Sequence, residues 1–255
     1  MDRTDTTMEM KIGPAGEAPA GSGLYFVRLN DDEIRQHFVF VICFIVLAIT
    51  GVMDWLPEKT YQFLGDAKET VFVVRSAVHR TFGTIMILTS IYHVFYLLFR
   101  KAGRRWLVDM MPMPKDLKDF IGNMLYYIGV RKAPPEFDRF SYKHKAEYGA
   151  LIVGTVLMSA SGVILWTEFL WNKFIVDIAA LVHGMEAVLA CLAIIVWHLY
   201  EVHLRPHKFP MDDLWLTGVI DEAEMKEEYP LHYKKIMEDP ALQEIYIREG
   251  MKHNG

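Results

Sequence analysis

The run Val182-His183-Gly184-Met185-Glu186, continued by Trp197-His198-Leu199-Tyr200, decides how this chain folds. It lies in an apolar stretch from about residue 174 to 202, and a bilayer crossing takes about 20 residues. His183 and His198 are 15 positions apart. In an α-helix that is roughly 22 Å of rise, and at about 100° per residue the two imidazoles stay within roughly 60° of each other. One spanning helix thus presents a histidine near each membrane face. A second stretch answers it, Arg75-Ser76-Ala77-Val78-His79-Arg80 through Tyr92-His93, where 14 positions separate the histidines. That spacing gives roughly 21 Å of rise and about 40° of rotation. Two helices with matched histidine pairs can clamp two flat cofactors between them.

The remaining spans follow from composition. The 255 residues are 52% hydrophobic yet 23% charged, the mixture of apolar spans separated by charged loops. Residues 38–53, 81–99, 148–166 and about 174–202 read as four membrane helices. The expected architecture is all-α: a four-helix transmembrane bundle with cytoplasmic termini and surface helices. Residues 1–30 read as a flexible tail, 31–206 as the membrane domain, and 207–255 as a helical extension with helices near 221–228, 232–237 and 241–248. The first 37 residues carry no apolar core of signal-peptide type. The loop between the second and third spans holds eleven Lys and Arg, from Arg100 to Lys145. The opposite loops hold Lys59, Lys68 and Lys173, with Arg75 and Arg80 entering the second span. The positive-inside rule then puts both termini and the long loop in the cytoplasm. His79 and His183 fall near the outer face, and His37, His93 and His198 near the inner one.

A net charge of −5 with a pI near 6.1 gives no sign of nucleic-acid binding. Two cysteines, Cys43 and Cys191, and no Cys-x-x-Cys-His rule out covalent haem attachment and leave no ligands for an iron–sulfur cluster. A lone histidine in a membrane helix is accounted for by a hydrogen bond to a neighbour. Five at two matched depths are not, because ionisable groups in hydrocarbon are costly and mark function. Bis-histidine ligation fills both axial positions of haem iron and favours electron transfer over oxygen binding. The reading is two haem b groups held by His79/His183 outside and by His198 with His37 or His93 inside. Spacing alone favours His93, which shares a face with His79. The leftover histidine is assigned to a quinone, a propionate, or a third haem with a partner such as His203. Arg75 and Arg80 are candidates for haem propionates, since guanidinium matches carboxylate geometry, or for interfacial snorkelling. Glu186, one turn beyond His183, is either a hydrogen-bonded structural group or a proton relay.

These residues together resemble a known family. Arg35-Gln36-His37 before the first span, Val78-His79 with Gly83, Lys145 through Ser161-Gly162-Val163-Ile164-Leu165-Trp166, His183 to His198, Trp215-Leu216-Thr217-Gly218 and Glu228-Tyr229-Pro230 resemble the cytochrome b (gamma) subunits of membrane-bound formate dehydrogenases. Nickel–iron hydrogenase and thiosulfate reductase cytochromes share the plan. The resemblance implies His37 and His198 as ligands of the inner haem, and His79 and His183 as ligands of the outer one. It also implies a quinone, menaquinone or ubiquinone, beside the inner haem near Ser141, Lys143 and His144. Ser141 and His144 replace the family's Asn and Gln, and the fourth span has 15 rather than 14 between its histidines. The implied partners are an outer iron–sulfur or multihaem subunit and a catalytic oxidoreductase subunit, with membrane lipid around the spans. A second likeness, to the cytochrome b of Rieske-type complexes, would pair His93 with His198. A histidine-rich metal transporter is the alternative of another class.

Overall fold

The computed structural model describes residues 23–206 and 208–249. After strand β1 (Leu24–Val27) come the first spanning helix α1 (Asp31–Val52), a 3-10 segment (Glu58–Ala67) and the second, α2 (Lys68–Phe99). Two short helices, α3 (Lys101–Met110) and α4 (Pro114–Tyr127), fill the long loop before the third span, α5 (Tyr142–Trp166). The fourth begins as α6 (Lys173–Leu192) and continues as π-helix over Ala193–His198 and Tyr200–Leu204. The chain closes with α7 (Leu214–Thr217), β2 (Val219–Asp221), α8 (Glu222–Glu228), α9 (Pro230–Glu238), α10 (Pro240–Tyr246) and β3 (Ile247–Glu249).

Among the described residues four helices are long and apolar enough to cross a membrane, as the sequence reading expects. They pack as two hairpins, α1 on α2 and α5 on α6, joined by α2–α5 and α1–α6 contacts. Their inward faces carry small and polar residues. On α1 these are Gln36, Cys43 and Thr50, seven apart, while Ile42, Ile45 and Ile49 face outward. That inversion is what a lipid solvent requires, because helices in a membrane associate through small and hydrogen-bonding groups. α1 starts sharply because Asn30 and Glu33 form a reciprocal capping box, and Asp31, Asp32 and Glu33 complement the positive helix end.

A second, conventional core sits at the end of the bundle where the chain enters and leaves. Leu24–Val27, expected within a flexible tail, forms the central strand of an antiparallel sheet in the order β2-β1-β3. Phe26 is fully buried there among Ile220, Met225, Tyr229, Ile236 and Tyr246. The polar, Gly-rich residues before it lie outside the described residues, and Leu24-Tyr25-Phe26-Val27 supplies the apolar side chains that a strand needs. The expected C-terminal helices are present with shifted bounds, and β2 and β3 close the sheet around them. Because β1 precedes the first span and β2 and β3 follow the fourth, their pairing places both ends of the membrane domain on one side.

Candidate functional site

His79 on α2 faces His183 on α6, with ring centroids 6.3 Å apart. Each ring is fixed by a hydroxyl on a third helix. Thr50 Oγ lies 2.7 Å from His79 Nδ1 and donates its one proton to the Val46 carbonyl at 2.7 Å. Ser161 Oγ lies 2.9 Å from His183 Nδ1 and donates to the Leu157 carbonyl at 2.6 Å. A hydroxyl whose proton is committed to a backbone carbonyl can only accept, so both imidazoles donate from Nδ1 and keep the Nε2 lone pair free. Gly162 gives His183 its room, since a Cβ there would stand 3.2 Å from the ring. Glu186 fills the bare side of Gly154 across the α5–α6 seam.

At the other depth His37 on α1 faces His198, with centroids 6.4 Å apart. His198 Nδ1 donates to the Glu147 carboxylate at 2.6 Å. His37 Nδ1 is buried without a partner among the described residues, and the Trp215 indole closes over its ring at 6.3 Å. The π-helical run Ala193–His198 supplies the missing geometry. A π-turn takes up one more residue than an α-turn, so 15 positions advance the face as about 14 would, from roughly +60° to roughly −40°.

His93 lies apart from both pairs. Its Nδ1 meets Gln36 Oε1 at 2.7 Å and its Nε2 meets Tyr148 Oη at 2.9 Å, inside a box of Tyr96, Trp106 and Tyr148. Both nitrogens are therefore engaged by protein. Spacing alone favours His93 beside His198, whereas here α2 turns that ring toward α1 and α5.

The prokaryotic cytochrome b561 family matches residues 33–212, the four spans and every histidine described above. The chain belongs to that family. It is similar to the cytochrome b556(fdo) subunit of formate dehydrogenase from Escherichia coli K12, 23% identical over 214 residues, 82% of this chain and 92% of the relative. The same subunit of Escherichia coli O157:H7 matches equally. The formate dehydrogenase cytochrome b556 subunit of Haemophilus influenzae is 25% identical over 168 residues, 65% of each chain.

Membership in the cytochrome b561 family makes this a multi-pass bacterial membrane protein with haem b as its implied cofactor. The two facing pairs fit that group. With metal–imidazole bonds of about 2 Å and about 1.1 Å from ring nitrogen to ring centre, two imidazoles on one iron would have centroids about 6.2 Å apart. Nδ1 groups anchored in this way are of the kind that orient histidines on a metal.

The other residues singled out in the sequence have specific places in this cytochrome fold. Arg75 reaches the Thr50 carbonyl at 3.0 Å and Asp54 at 2.5 Å, with a buried Nε that has no hydrogen-bond partner among the described residues. Arg80 lies over the Trp166 ring at 5.7 Å. Ser141 and His144 are bound to each other across the first turn of α5 at 3.0 Å, and His144 packs between Phe140 and Tyr229. Lys143 pairs with Glu201 at 3.0 Å, one turn below the Glu147–His198 contact on the same two helices. Sequence reasoning missed Glu147 and Thr50, and read Trp215 only as part of the family motif. A carboxylate four residues after Lys143, at the mouth of an apolar span, was the legible sign of the first.

Proposed function

We propose that this chain is the di-haem b subunit of a formate-dehydrogenase-type respiratory oxidoreductase, passing electrons across the membrane between an outer redox partner and a quinone. His79 and His183 hold the outer haem, and His37 and His198 hold the inner one. The observation that carries this is the pair of facing imidazoles at 6.3 and 6.4 Å, three of the four rings with Nδ1 tied to an acceptor. The haems, when bound, supply one-electron relays. The protein's own part is to orient the imidazoles, keep them neutral and exclude water. Arg75, with its orphaned buried Nε, supplies a cation for an outer propionate.

The quinone, menaquinone or ubiquinone, binds near the inner haem beside Lys143, His144 and Ser141. Lys143 and Glu201 stand one turn from the ligand contact and can exchange protons with solvent, whereas Ser141 and His144 reach a quinone only by releasing each other. The long Lys/Arg-rich loop supports a cytoplasmic position for this end. An iron–sulfur or multihaem subunit docks at the outer face, and a catalytic subunit completes the complex.

A metal-transport reading has less support. The histidines face each other in twos, and among the described residues no group of three His, Cys, Asp or Glu side chains is placed to hold an ion. The Rieske-type pairing of His93 with His198 is disfavoured by the engagement of both His93 nitrogens.

The test is a pair of variants. His183→Ala removes one haem and its spectral component, and His198→Ala removes the other together with quinone reactivity. Unchanged haem content and spectrum in either variant overturns that assignment.

A further inference from the structure

α4 reverses the usual arrangement of a surface helix. Its polar side is the buried one: Asp119 is 9% exposed and Asn123 4%. Asn123 Nδ2 donates to Tyr142 Oη at 2.9 Å, Asp116 pairs with Lys145 at 3.0 Å, and Asp119 pairs with Lys115. The Arg131 guanidinium lies over Gly122 on this side. The opposite side carries Leu117, Phe120, Ile121 and Met124, at the i, i+3, i+4, i+7 spacing of one helical face. Leu117 is 63% exposed and Ile121 50%. In water that orientation is unfavourable on both counts, since it buries the groups that water solvates and exposes those that water rejects.

We propose that α4 lies along the membrane surface with this face sunk into the lipid leaflet on the side of the long loop. The occupant follows from where α4 is pinned. Asp116 and Asn123 fasten it to the first turn of α5, whose own outward face turns apolar at Leu151 and Ile152, so the two faces adjoin one lipid-facing surface. Lys118 on α4, and Arg131 and Lys132 just after it, supply the cations that anionic headgroups attract, as on other interfacial helices. The placement requires the chain to sit in a bilayer and is independent of the haem assignment. α4 then ties the loop between the second and third spans to the bilayer, next to the segment that holds Ser141, Lys143 and His144.

Nitroxide labels test it directly. Ile121→Cys and Lys118→Cys are each made in a Cys43→Ala, Cys191→Ala background, and the labelled protein is reconstituted into phosphatidylcholine–phosphatidylglycerol vesicles. Power-saturation EPR then compares collision with oxygen, which concentrates in lipid, and with a water-soluble nickel chelate. The label at 121 should favour oxygen over nickel several-fold more than the label at 118. Equal or greater nickel access at 121 places the face in water and overturns the proposal. Low access to both reagents means that protein, such as a second copy, covers the face, and also overturns it. The unsubstituted chain gives a second reading, in vesicles whose phospholipid carries a photoactivated diazirine in its acyl chain. Adducts between residues 117 and 128 are expected, and adducts on the four spans with none on α4 contradict the placement.

Discussion

The Glu147 carboxylate accepts a hydrogen bond from His198 Nδ1 at 2.6 Å, whereas both outer imidazoles lean on hydroxyls, Thr50 and Ser161. A carboxylate on Nδ1 makes Nε2 a stronger donor than a hydroxyl does, and a stronger donor favours oxidised iron. In the proposed di-haem arrangement these second partners would tune the two sites apart, although their ligands are alike. Glu147→Gln keeps the geometry and removes the charge. The inner-haem midpoint potential should rise by an amount equal to about a tenfold change in its reduction equilibrium, about 59 mV for one electron. The outer haem should not move. Spectroelectrochemical titration of the purified protein reads both, and an unmoved or lowered inner potential contradicts this role.

Thr50→Val and Ser161→Ala remove the acceptors that orient His79 and His183, the proposed outer ligands, while preserving most of the packing. Loss of such a partner typically weakens metal affinity 10- to 100-fold. Haem content measured during dilution or competition with apomyoglobin should fall at the outer site alone. Full retention in the double variant would show that packing suffices to hold the rings.

His93 and His37 separate by substitution. His93→Ala strands Gln36 and Tyr148 in the bundle, at a cost of about 1–3 kcal/mol for a buried unpaired polar group. It should lower the unfolding temperature in detergent and leave both haem signals. His37→Ala should erase the inner signal. The reverse pattern would move the inner ligand to α2.

The cap at the entry and exit end should be acid-sensitive through His232. Burial, followed by the nearby Arg28 charge, lowers its pKa from 6.5 to about 3. Arg28 just after β1, Arg139 and Lys235 oppose its protonation, and Asp138 only partly offsets them. Above pH 6.5 the ring is neutral in both the folded and the unfolded cap, so it imposes no penalty. Below that, the unfolded cap takes up a proton that the folded one refuses, and stability falls by up to about 1.4 kcal/mol per pH unit toward the folded value. Hydrogen exchange of β1 and α9, corrected for intrinsic rates, should show less protection at pH 5 than at pH 7.5. His232→Leu should flatten the difference, and pH-independent protection in the native chain would contradict the account.

Much of this was legible in the chain. Span length and hydropathy gave four helices, and the spacing of His79, His183 and His198 gave two depths. The structure adds what periodicity cannot carry. A uniform 100° per residue misplaces His198, because the π-helical run at Ala193–His198 resets the face by one residue. Helical rotation also put His93 on the face of His79 and could not show that Gln36 and Tyr148, on two other helices, claim its nitrogens. The strand at Leu24–Val27 was hidden because a four-residue strand is defined by its partners, and these lie some 190 and 220 residues away in sequence, at Val219–Asp221 and Ile247–Glu249.

The central claim is that two haems sit between two pairs of facing histidines. A pyridine-haemochrome assay on the purified chain, scaled to protein by amino-acid analysis and paired with a dithionite-reduced minus oxidised spectrum, tests it most directly. The account predicts two b haems per chain, both six-coordinate and low-spin. One haem, three haems, or a colourless folded protein expressed with ample haem would contradict it.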